Sequence, residues 1–115
     1  MMTWPDPERL LIARYLADLG LRSKNSRTYY KQVLHSFQDV AARHTELGQD
    51  VLVAWLRAWS DRWTATTLLH RTRIIDRFLD HLVQTGAIHR NPVVVLRKEC
   101  NVKQCKPVWR ALASR

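Results

Sequence analysis

Basic side chains gather in three runs of this chain, and their company suggests what they could bind. From Gly20 to Gln38 there are Arg22, Lys24, Arg27 and Lys31 and no acid. From Arg62 to Arg77 there are Arg62, Arg71, Arg73 and Arg77 with His70, against Asp76 alone. From Arg97 to Arg115, six Lys and Arg stand against Glu99. A solvated helix face ordinarily mixes signs, so runs this poor in acids, interleaved with Ser, Thr, Asn and His, point to an anionic partner. Phosphates are contacted by Lys, Arg, hydroxyls and helix N-termini, and base edges by Arg, Asn and His. A merely soluble face is the plain alternative for either run alone. It weakens when two such runs each open a long helix.

Other reactive types do not assemble. Tyr29 and Tyr30 are adjacent, but neither has an activating base beside it in sequence. The five histidines are scattered, and neither a glycine-rich phosphate loop nor a His-Glu-x-x-His motif occurs. Cys100 and Cys105 form one C-x4-C pair with no second pair and no His partner, a poor zinc site; they read as free thiols in a reducing compartment. No cofactor is expected.

Helical spacing supplies the elements that must position the basic runs. Asp6-Pro7-Glu8 gives an N-cap acceptor, a proline at the first helical position and an acid near the positive dipole end. A first helix should follow to about Leu19, with Leu11, Ile12, Tyr15 and Leu19 on its buried face. A second should start near Ser26 after the loop Leu21 to Asn25, burying Tyr30, Val33, Leu34, Phe37, Val40 and Ala41. Arg27, Lys31, His35 and Gln38 then fall on its polar face. A third spans about Asp50 to Trp59 with Leu52, Trp55, Leu56 and Trp59 inward, both tryptophans reading as core anchors. A fourth, about Thr64 to Thr85, buries Leu68, Thr72, Ile75, Phe78, Leu79 and Leu82 and shows Thr66, His70, Arg73 and Arg77 on the other side. Gly20, Gly48 and Gly86 fall where helices would end in the left-handed C′ conformation. Val93-Val94-Val95 fits a short strand or a buried connector, and beyond Leu96 the pattern decays into basic chain.

Composition agrees. The 115 residues are 46% hydrophobic and 25% charged, enough for one packed domain. Nineteen Lys and Arg against ten Asp and Glu give +9, with a pI near 10.4. Such charge suits nucleic acid or an anionic surface. No apolar run approaches the roughly 20 residues of a membrane span, and Met1 to Asp6 lacks a signal-peptide pattern. A cytoplasmic, nucleoid-associated protein with no membrane partner is expected.

The second helix, Lys24-Asn25-Ser26-Arg27-Thr28-Tyr29-Tyr30-Lys31-Gln32-Val33-Leu34-His35-Ser36-Phe37, resembles the N-terminal core-binding domain of tyrosine recombinases, the phage integrase family. Tyr30, Leu34 and Phe37 stand at that family's steps, with Ser26 where it usually has threonine. Thr66-Thr67, Arg77-Phe78, Leu82-Val83, Gly86, Ile88 and Asn91-Pro92 resemble its fourth helix, and the Gly-x-Ile-x-x-Asn-Pro ending is the most specific feature. The resemblance covers about residues 8 to 92. It implies an all-α, compact four-helix SAM-like bundle over 1–92, then a basic linker or tail over 93–115.

It also implies one half of a C-shaped clamp on double-stranded DNA at a recombination core site. Contacts would come from Lys24, Asn25, Ser26, Arg27 and Lys31 on the second helix. On the fourth they would come from Thr66, Thr67, His70, Arg71, Arg73 and Arg77, of which Thr67 and Arg77 fit packing roles equally well. In that family catalysis belongs to a second domain with Arg, Lys, His-x-x-Arg, a further His or Trp, and a nucleophilic Tyr. The 23 residues after Pro92 are too few for it. His70-Arg71-Thr72-Arg73 has the His-x-x-Arg spacing, but no Tyr follows it. The chain is therefore expected to bind without catalysing strand exchange, with a recombinase catalytic domain or further protomers as partners. The alternative from another class is a helical protein-interaction module that docks through the Trp-rich third helix. RNA binding ranks lower, for want of an exposed aromatic platform.

Overall fold

A computed structural model describes residues 4–5, 10–44 and 46–94. They form an all-α bundle: α1 (Leu10–Leu19), α2 (Lys24–Ala41), α3 (Gln49–Trp59) and α4 (Ala65–Gln84). The capping signal at Asp6 to Glu8, both cysteines and the basic tail lie outside the described residues. Among the described residues, no helix is long and apolar enough to cross a membrane.

The two long helices begin on side-chain caps. The hydroxyl of Ser23 accepts from the Ser26 amide at 3.4 Å, and that of Thr64 accepts from the Thr67 amide at 3.2 Å. Each satisfies one of the amides that a first turn leaves without a carbonyl. The second helix thus starts earlier than expected: Ser23 is its cap, and Ser26 already lies in its first turn. Both serines suit the role, but only Ser23 has the extended backbone a cap requires.

Gly20 (φ +63°) and Gly86 (φ +82°) follow α1 and α4 in the left-handed conformation that a Cβ would strain. Gly48 does not behave likewise. It is the N-cap of α3, in extended backbone at φ −145°.

The core joins all four helices. Ile12 and Tyr15 of α1 and Val33, Leu34, Phe37 and Ala41 of α2 meet Val51, Leu52, Trp55 and Leu56 of α3. Leu68, Ile74, Ile75, Phe78, Leu79 and Leu82 of α4 complete it. Trp55, 0% exposed, is fixed in rotation because its indole N–H donates to the Ser36 hydroxyl at 3.1 Å, which donates to the Val33 carbonyl. Thr72, placed in the apolar stripe by spacing, is buried at no polar cost, since its hydroxyl donates to the Leu68 carbonyl at 2.7 Å.

Two side chains depart from the expected faces, and four of the expected core residues (Leu11, Tyr30, Val40 and Trp59) are only partly buried. Leu19 is 40% exposed at the C-terminal end of α1. Gln38, assigned to the polar face of α2, is buried at 3%. Of the four partly buried residues, Trp59 stands at the end of α3.

The Gly-x-Ile-x-x-Asn-Pro ending has a structural explanation. Ile88 and Val93 join the core, so it reaches past residue 92. Asn91 is buried and donates through Nδ2 to the Asp76 carboxylate at 2.7 Å and the Asp76 carbonyl at 3.2 Å. Its Oδ1 accepts from the Val93 amide at 3.0 Å, and Pro92 to Val94 form a helical turn rather than a strand. One side chain therefore pins the segment after α4 to the middle of that helix and opens the next turn.

Candidate nucleic-acid interface

The first halves of α2 and α4 lie side by side, joined by Tyr29. Its ring stacks on His70 (centroids 5.9 Å apart, planes 24°) and faces the Arg71 guanidinium at 5.2 Å. The same guanidinium lies 4.0 Å from the ring centre of Trp63, in the turn that leads into α4. Trp63 stacks on Trp59 at 4.4 Å with planes 6° apart, and Arg62 stands over Trp59 at 5.4 Å. An unbroken seam of cations and rings thus runs Arg62, Trp59, Trp63, Arg71, Tyr29, His70. Such contacts hold two helix ends and a turn in fixed relation, and each strengthens where water is excluded.

Around this seam the expected binding residues divide. On α2, Lys24, Asn25, Arg27 and Lys31 are exposed, and Lys24, Arg27 and Lys31 share one flank at spacings of 3 and 4. Ser26 is half-buried, its amide held by Ser23. On α4, Thr66 and His70 are exposed at the shared end.

The rest of the α4 set is partly committed to the fold. Thr67 lies in the capping turn, its hydroxyl accepting from that of Thr64 at 3.0 Å. Arg71 is half-buried in the seam, and Arg73 is half-buried too; the Nε–H groups of both are covered and find no hydrogen-bond acceptor among the described residues.

Arg77 is exposed but sits two turns farther along α4, towards α1. There it acts on Tyr15, whose pKa lies above its usual 10.0 through burial and the neighbouring Tyr30, with Arg77 partly offsetting the rise. The structure therefore brings the starts of α2 and α4 together and leaves Arg77 apart from them.

Behind α2 the surface opens into a groove of about 860 Å³, between that helix and the end of α3. Thr28, Lys31, Gln32, His35 and Arg43 line it from the α2 side, and Trp59 and Arg62 from the other. Sequence spacing did not single out this groove, because its walls come from segments about twenty residues apart. Nor did it foresee that Tyr29, Trp59 and Trp63 reach the bundle margin half-buried. Among the described residues, no group of three or more His, Cys, Asp and Glu is placed to hold a metal ion.

Comparison with known proteins adds one relationship. The chain is 67% identical over 111 residues to "Uncharacterized protein y4gB" of Sinorhizobium fredii (strain NBRC 101917 / NGR234). The match takes in 96% of this chain and 80% of that protein. The chain belongs to the y4gB family. At this identity the y4gB protein and this chain share one fold, so the bundle described above is the family's. No family model and no solved structure matches the chain.

Proposed function

We propose that this domain binds double-stranded DNA through the joined N-terminal halves of α2 and α4, as the half-clamp of a site-specific recombinase does, without catalysing strand exchange itself. The observation that carries this reading is the juxtaposition at Tyr29. It sets two capped helix starts side by side, with Lys24, Arg27 and Lys31 along one and Thr66 and His70 on the other. The only acid within the two basic runs, Asp76, is bonded by Asn91 at the middle of α4. Helix N-termini and Lys, Arg and Thr side chains suit phosphate oxygens; Asn25 and His70 suit base edges.

Binding of this kind is dominated by released counterions, so affinity falls steeply with salt while sequence preference from one half-clamp stays modest. A nucleoid-associated location follows, as does partnership on the DNA with a recombinase catalytic domain or with further protomers. The test is binding to a labelled duplex of mixed sequence across a salt series, wild type beside Lys24→Gln/Arg27→Gln/Lys31→Gln. Wild type should show a log–log slope of several units, and the variant a slope lower by about one per lost phosphate contact. Equal binding by the two proteins would move the interface elsewhere. Absence of binding at low salt would favour the protein-interaction module.

A further inference from the structure

The groove behind α2 extends the proposed interface, and the inference drawn from it rests on the duplex reading above. Three cations from separate parts of the chain converge on it: Lys31 from the middle of α2, Arg43 just past its end and Arg62 from the turn before α4. All three are exposed. Thr28 and His35 add polar groups to the same wall, and among the described residues Asp39 is the one carboxylate that lines it. Lys31 also belongs to the exposed flank of α2, and Arg62 begins the seam that ends at His70. The groove is therefore continuous at both edges with the face assigned to DNA.

We infer that one phosphodiester strand of the duplex continues into this groove, with Arg43 and Arg62 as phosphate contacts beyond those on α2 and α4. The occupant is identified by charge. The three cations outnumber the single carboxylate and line an open trough, which suits a polyanionic strand rather than a compact neutral ligand. The aromatic wall is consistent with this, since Trp59 already carries Trp63 against its ring and Arg62 above it. Trp59 thus forms the side of the trough, and the strand passes along the guanidinium edge.

The test uses the full chain and the same labelled duplex, comparing wild type with Arg43→Gln/Arg62→Gln and, separately, with Asp39→Asn. Thermal melting first checks that each variant is folded. The inference predicts that the double variant lowers the salt slope by about two units, one per phosphate contact, with several-fold weaker binding at moderate salt. It predicts the opposite sign for Asp39→Asn: tighter binding, because a carboxylate facing the strand is gone. If wild type binds with a steep slope and the Arg43/Arg62 variant keeps that slope, the groove is not on the path and the α2–α4 reading stands alone. If wild type does not bind the duplex at low salt, both fall together. Should the double variant melt early, the single variants Arg43→Gln and Arg62→Gln decide instead: a slope lower by about one unit in each supports the inference, and an unchanged slope in both overturns it.

Discussion

The two basic helices look alike in sequence and are used differently in the fold. On α2, the residues read as binders stand in solvent, and only Ser26 is half-buried, its amide held by the Ser23 cap. On α4, two of the six corresponding residues hold the structure: Thr67 lies in the cap and Arg71 in the ring seam. A cation in a strongly basic run is therefore not yet a phosphate contact. What separates the two roles is whether an aromatic face or a cap from elsewhere in the chain has already engaged it.

This contrast is open to attack by mutation, and the largest effects should fall on the α4 side. Asn91→Ala removes both Nδ2 bonds to Asp76 and leaves the buried Val93 amide without its Oδ1 acceptor. The expected cost is about 1–3 kcal/mol, read as a lower midpoint in urea at unchanged slope. Arg71→Ala removes a guanidinium shared by Tyr29 and Trp63, with an expected loss of about 2 kcal/mol and a melting temperature several degrees lower. Lys31→Ala, its counterpart on α2, should change stability by less than about 0.5 kcal/mol while weakening DNA binding. If Arg71→Ala melts like wild type and only DNA affinity drops, the contrast between the helices is broken.

A smaller effect sharpens it. Thr64→Ala and Ser23→Ala should each cost about 1 kcal/mol as lost caps, in thermal melts of the free protein.

The gentlest test concerns Tyr15, and through it the position of Arg77. Burial raises the Tyr15 pKa in the folded protein above its value in the unfolded chain, so folding holds the proton more tightly. The associated stability is fully present below about pH 10 and declines as pH rises through the folded pKa. Tyr15→Phe should flatten this alkaline decline in a series of melts. Arg77→Gln should carry the decline to higher pH, because the cation that partly offsets burial is removed. An unchanged profile in Arg77→Gln would put that guanidinium away from α1, and back in contention as a DNA contact.

Much of the bundle was legible in residue spacing. The apolar stripes of α2, α3 and α4 follow the helical period, and Gly20 and Gly86 end their helices as the absence of a Cβ permits. The errors share a physical origin. Ser23 and Ser26 are equally good caps by type, and only the backbone path chooses between them. Gln38 is polar by type but lies where neighbouring elements close over α2.

Gly48 reads as a helix end from sequence and is one, but the N-terminal end of α3. The site was legible in its charges and not in its assembly. Arg71 became structural through Trp63 and through Tyr29, some forty residues away, and the groove needed α2, the end of α3 and the following turn together. Such convergence leaves no period in the sequence.

The central claim is that DNA lies across the starts of α2 and α4. The most direct measurement is a titration of isotope-labelled protein with a short duplex at low salt, following each backbone amide by NMR. The account predicts that shifts concentrate at 24–31 and 64–73, with residues 10–19 and 80–90 undisturbed. Shifts confined to α1 and the end of α4, or none at low salt, would contradict it.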